Sequence, residues 1–90
     1  QLAHHTHNIT SERNGIVSFI NNRLVARLAK LAGAPAAKGA GVYLHSHLGT
    51  RVEKGEVIMT VYADTPGELA YALEFYSEHR EMLRVEDESV

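Results

Sequence analysis

Apolar residues recur along the chain in two rhythms, and each change of rhythm marks an element. Ile9–Thr10 and Ile16–Ile20 are short β-prone runs on either side of Ser11-Glu12-Arg13-Asn14-Gly15. Asn14 and Gly15 both tolerate positive φ, so the Asn-Gly pair predicts a tight turn and the two runs read as an antiparallel hairpin. The rhythm then lengthens. Leu24, Val25, Leu28, Leu31 and Ala32 recur at the spacing of one helical face, leaving Arg23, Arg27 and Lys30 elsewhere. Asn21 or Asn22 supplies the cap, Gly33 the left-handed residue that ends such helices, and Pro35 blocks resumption.

After a small-residue loop over Ala36–Gly41, the stretch Val42–Leu48 alternates. Val42, Leu44, Ser46 and Leu48 fall on one side, Tyr43, His45 and His47 on the other, which predicts a half-buried strand. Gly49–Gly55 is turn-like, and Val57–Ala63 is a further strand. Thr65 as cap, Pro66 at the first helical position and Glu68 closing a capping box predict a second helix. Leu69, Ala72, Leu73 and Tyr76 mark its buried face, with Glu74, Glu78 and Arg80 toward water. Leu83 and Val85 alternate as an edge strand would. The ends, 1–8 and 87–90, are expected to fray. No internal repeat interrupts the order strand, strand, helix, strand, strand, helix, which predicts a single α+β domain over 1–90 with both helices packed on a small sheet.

Composition narrows the classes. Of 90 residues, 44% are hydrophobic and 22% charged, which fits one globular domain of small surplus stability, and neighbouring domains would add to it. The formal charge is −2 and the basic residues are scattered, so no nucleic-acid footprint is present. No stretch approaches the roughly 18 apolar residues that cross a bilayer, so a soluble domain without membrane contact is expected. The chain has no cysteine, hence no disulfide framework or thiolate chemistry, and a cytoplasmic location is the expectation. A start at Gln1 rather than Met fits an excised domain or a processed start.

Candidate chemistry is sparse. His45 and His47, two apart on a strand, would emerge on one face and offer two nitrogens to a metal, with His4, His5 or His7 as a third if the N-terminal segment folds back. Exposed histidines on a polar end are the commoner explanation. Lys38-Gly39-Ala40-Gly41 could turn amides toward a phosphate, yet it matches no phosphate-loop pattern and precedes a strand rather than a helix. Glu53, Glu56, Glu68, Glu74 and Glu78 fall in turns or on solvated helix faces, and Ser18 and Ser46 lack a nucleophile context. The residues alone therefore give no catalytic, cofactor-binding or metal site.

The informative stretches are Asn22-Arg23-Leu24-Val25-Ala26-Arg27-Leu28-Ala29-Lys30-Leu31-Ala32-Gly33-Ala34-Pro35, Lys38-Gly39-Ala40-Gly41-Val42, Leu48-Gly49-Thr50-Arg51-Val52-Glu53-Lys54-Gly55-Glu56 and Val61-Tyr62-Ala63. In that order they closely resemble the C-terminal domain of thymidine and pyrimidine-nucleoside phosphorylases, from about Gly15 to Phe75. Ala32-Gly33-Ala34-Pro35 looks like the branch that includes archaeal AMP phosphorylases. The resemblance implies an α/β-hammerhead domain appended to a helical domain and a larger α/β domain that hold the active site. Such enzymes are pentosyltransferases, cleaving a nucleoside with inorganic phosphate to a free base and a pentose 1-phosphate. Their phosphate- and base-binding residues lie upstream, so no catalytic residue carries over. The resemblance implies no cofactor in this region, upstream domains of the same chain as partners, a nucleoside bound elsewhere, and a homo-oligomer. A scaffold role follows from it. Two rival readings are a non-catalytic interaction module working through the exposed edge of the sheet or the Tyr43, His45 and His47 face, and a biotinyl or lipoyl carrier. The carrier requires a lysine at a hairpin tip, and neither Lys30, Lys38 nor Lys54 has that setting.

Overall fold

The computed structural model describes residues 5–34 and 39–87. Among these residues the order is β1 (His5–Thr10), β2 (Gly15–Ile20), α1 (Asn22–Leu31), β3 (Gly41–Leu44), β4 (Arg51–Val52), β5 (Val57–Ala63), α2 (Pro66–Glu78), a 3-10 turn (Arg80–Met82) and β6 (Leu83–Glu86). The strands form two three-stranded antiparallel sheets, β1-β5-β3 and β4-β2-β6. The architecture is α+β. Both helices pack on the first sheet, α1 against β3 and α2 against β5 and β1, and they also touch each other. The second sheet is an addition to the sequence-based expectation, which had a single sheet.

The expected hairpin between Ile9–Thr10 and Ile16–Ile20 does not form. β1 pairs with β5, whereas β2 pairs with β4 and β6, so the two runs belong to different sheets. Asn14-Gly15 is diverted from turn-making. The Asn14 side chain accepts the Lys54 amide at 2.7 Å, and Gly15 is the first residue of β2, opposite Val52. A Cβ on Gly15 would press into the Glu86 carbonyl, with the carbonyl carbon at 2.8 Å. Glycine is required there by close approach of a neighbouring strand.

Two further expectations are corrected. His5–Asn8 do not fray but pair in β1 with Ala63 to Thr60; residues 1–4 and 88–90 lie outside the described residues. The strand expected over Val42–Leu48 stops at Leu44, because the chain bends at His45 and Ser46 and turns through Leu48-Gly49. Ser46 is consequently buried and Leu48 is 66% exposed, which alternation along one strand could not produce.

The helices begin and end where their local chemistry dictates. Asn21 Oδ1 accepts the amides of Arg23 and Leu24, both at 3.1 Å, and satisfies two of the free donors at the start of α1. At its end the Gly33 amide donates to the Lys30 carbonyl and the Ala34 amide to the Ala29 carbonyl, a Schellman closure around Gly33 with φ of 122°. Pro35 and Ala36–Lys38 lie outside the described residues. In α2 the Thr65 hydroxyl oxygen accepts the Glu68 amide at 3.1 Å and its proton goes to the Glu68 carboxylate at 3.2 Å. The Glu68 side chain thus reaches the Thr65 hydroxyl, a variant of the expected box.

One core joins the layers. Leu28 of α1, Ala72 of α2, Met59, Val61 and Ala63 of β5, and Val17 and Val52 of the second sheet are all buried. β5 is buried over Ile58–Val61, including the bulge residue Ile58 between the Ile9↔Met59 and Thr10↔Val57 pairs. The bulge breaks the β1–β5 register between Ile9 and Thr10 without ending the pairing.

Leu28 has no exposed surface. Leu28→Ala is expected to lower stability by about 2–5 kcal/mol, measured by urea unfolding. A second expectation separates two kinds of glycine. Gly55 has φ of 89° but open space around a would-be Cβ, so Gly55→Ala should cost only the conformational term of about 1–2 kcal/mol. Gly15→Ala must displace the β6 backbone and should lower the melting temperature by more than Gly55→Ala; equal shifts would contradict the close-approach argument.

Candidate functional site

The first sheet turns one face to the helices and the other to solvent. Val61, Met59 and Ala63 of β5 point into the core, so the alternate residues Thr60 and Tyr62 point away. Asn8 of β1 and Tyr43 of β3 lie directly opposite Thr60. The Thr60 hydroxyl donates to Asn8 Oδ1 at 2.9 Å, and His45 Nε2 lies 2.7 Å from Thr60 Oγ1. The His45 ring meets Tyr43 edge-on at 4.8 Å between centroids, and its backbone amide donates to the Ile58 carbonyl at 2.9 Å. Three separate chain segments therefore converge on Thr60.

This placement changes the reading of the histidines. His45 and His47 stand on a bend rather than on one strand, and His45 turns toward Thr60. His5 and His7 lie in β1, and His4 lies outside the described residues. Among the described residues no group of three or more His, Asp or Glu gathers at metal-binding distance. Ser18 is exposed on β2 and Ser46 is buried after β3, far apart in role. Gly39 and Ala40 precede β3 and Gly41 is its first residue, paired with Tyr62, while Lys38 lies outside the described residues.

The Gly49-Thr50-Arg51-Val52-Glu53-Lys54-Gly55 stretch is a clamp between the sheets. Both glycines adopt positive φ, 87° and 89°, while Val52 between them is 1% exposed. The Gly49 amide donates to the Val17 carbonyl and the Val17 amide to the Thr50 carbonyl. The Gly55 amide donates to the Ser11 carbonyl and the Ser11 amide to the Glu56 carbonyl, all at 2.8–2.9 Å. Ser11 is itself buried and its hydroxyl donates to the Arg13 carbonyl at 2.6 Å. Polar groups taken from water here are repaid by partners in the opposite loop.

A cleft lies where β1, α2 and β6 meet. Thr10, Glu12, Tyr76 and Arg80 line both a cavity of about 100 Å³ toward β6 and one of about 250 Å³ toward β1. Arg80 is ion-paired with Glu12 and its guanidinium lies 5.9 Å from the Tyr76 ring centre. Burial pushes the Tyr76 phenol above its ordinary value, because the phenolate would lose hydration. Sequence periodicity placed Tyr76 on the buried face but gave no sign of Glu12 beside Arg80, a pairing across 68 positions that only the fold creates.

Residues 16–82 match the family model described as "Pyrimidine nucleoside phosphorylase C-terminal domain". The chain belongs to this family. It is 53% identical over 89 residues to the "Putative thymidine phosphorylase" of Hahella chejuensis, covering 99% of this chain and 18% of that protein. It is 55% identical over 74 residues to the "Putative thymidine phosphorylase 2" of Acidovorax sp., covering 82% of this chain and 14% of that protein. The chain spans less than a fifth of the length of these curated relatives. As a phosphorylase C-terminal domain it carries the α+β fold that the motif order implied, and its matched glycines and Val52 build the inter-sheet clamp.

Tyr76 generates a signed pH expectation. Its folded value lies above the unfolded value of about 10, so between the two the folded chain keeps a proton that the unfolded chain has released. Its contribution is complete below pH 10 and is lost as pH rises through the folded value. Urea unfolding on both sides of that pH should show stability falling, and Tyr76→Phe should flatten the alkaline slope.

Proposed function

We propose that this domain is the non-catalytic C-terminal scaffold of a pentosyltransferase that cleaves thymidine, or a related pyrimidine nucleoside, with inorganic phosphate. The products are the free base, thymine in the first case, and 2-deoxyribose 1-phosphate. The observation that carries this reading is the 53% identity, over 99% of the chain, to a protein named "Putative thymidine phosphorylase" of which the chain spans 18%. Phosphorolysis needs a phosphate dianion held beside the anomeric carbon and donors to the leaving base as its negative charge develops. In this reading those groups belong to the preceding domains. The scaffold's part is to present a rigid surface on which they pack, so that their site keeps its shape while an inter-domain cleft opens and closes.

The clamp between the sheets suits that part, since its backbone hydrogen bonds fix the relative pose of two small sheets. Inorganic phosphate is then a co-substrate rather than a resident cofactor, the nucleoside binds outside this domain, and the whole enzyme works as a cytoplasmic homo-oligomer. No helix among the described residues is long and apolar enough to cross a membrane.

The test compares the longer protein with this domain alone. In phosphate buffer with thymidine, uridine or AMP, the full chain is expected to release free base and the isolated domain none. Base release by the isolated domain above the uncatalysed rate, or saturable phosphate binding near Gly39 and Gly41 seen by NMR, would overturn the scaffold reading.

A further inference from the structure

The solvent-facing side of the first sheet differs in chemistry from the rest of the surface. Thr6 and Asn8 on β1, Thr60 and Tyr62 on β5, Tyr43 on β3 and His45 just beyond it share that side. Thr6, Asn8, Tyr43 and His45 are exposed, Tyr43 by 58%. Lysine, arginine, aspartate and glutamate are absent from these six positions, whereas the outer faces of the helices carry Arg23, Arg27, Lys30, Glu74 and Glu78 in the open. Aromatic and neutral polar groups without charge are the composition of the buried centre of an interface.

We propose that this face, centred on Tyr43 and His45, is where the preceding part of the longer phosphorylase chain docks. The inference rests on the scaffold reading above and adds the surface through which it acts. Two observations select this occupant. Relatives that match nearly the whole chain are more than five times its length, so a C-terminal domain has several hundred further residues to pack against. The first element of the described residues, β1, is also an edge strand of this very sheet, so the face lies on the strand that the preceding part of a longer chain would join.

The hydrogen-bond chain states what the face offers. Asn8 Oδ1 can only accept, so the Thr60 hydroxyl spends its proton there and its oxygen is left to accept from His45 Nε2–H. That bond holds the imidazole by Nε2 and leaves Nδ1 facing outward on a ring braced by Tyr43. A partner docking here presents a polar group to His45 and an apolar surface to Tyr43.

The test is hydroxyl-radical footprinting of the full-length protein, read by mass spectrometry and repeated at falling protein concentration. Tyr43 is expected to react several-fold more slowly than its exposure in the domain demands, and to stay protected on dilution. Tyr71 on α2, 66% exposed, is the internal reference. Tyr43 labelled in proportion to its exposure overturns the proposal. Protection that vanishes on dilution together with the oligomer also overturns it, because the occupant is then a second copy. The readout does not depend on turnover, so a protected Tyr43 in a chain without phosphorolysis would refute the proposed activity and leave the docking face standing. In the same chain Tyr43→Glu should lower the melting temperature while Tyr71→Glu leaves it nearly unchanged.

Discussion

The β6 backbone passes so close to Gly15 that any side chain would collide with the Glu86 carbonyl, and the joint between the two sheets is built on that approach. Gly15 is paired with Val52 on its other side, so β2 is held between β4 and β6 from its first residue. The loop before it, Ser11–Asn14, is locked to the Glu53–Glu56 turn by backbone and Asn14 side-chain bonds. Buried backbone groups must be paired, and here each loop supplies the partners the other lacks. The inter-sheet geometry follows from this reciprocity more than from side-chain packing alone.

What the sequence revealed depended on how near the deciding partners lie. Both helix starts were legible because Asn21 and Thr65 act on amides two or three residues away. Val57–Ala63 was legible because its β-branched and apolar residues form one short run between turn residues, broken only by Thr60. The Asn14-Gly15 turn was misread for the opposite reason. Its real partners, Lys54 and Glu86, lie 40 and 71 positions away, and no local rule sees them. The same distance hid the convergence of Asn8, Thr60 and His45, where alternation gave the residue types but not the bend at His45 that brings its ring to Thr60. The motif order carried the family assignment because it samples most of the chain, including the glycines and Val52 of the clamp.

The polar groups of both candidate sites are engaged within the domain. The cleft around Tyr76 is occupied by its own Arg80–Glu12 pair, and the Thr60 hydroxyl is engaged on both sides by Asn8 and His45. Of the two, the Thr60 cluster is the better determined, because Thr60 is buried whereas the Arg80–Glu12 pair is exposed and screened by water.

The position of β5 also governs how the domain comes into being. Both of its neighbours in the first sheet precede it, β1 by some fifty residues, and the second sheet is completed only by β6, which follows α2. As the chain leaves the ribosome, β1 and β3 have no strand to pair with until Val57–Ala63 follows them, and β2 lacks its longer neighbour until Leu83–Glu86 appears. Ordering so distant a set of segments makes closure late and nearly all-or-none. During synthesis the edge of β1 waits uncovered, and removal of Leu83–Glu86 would leave β2 with only the two-residue β4 as a partner.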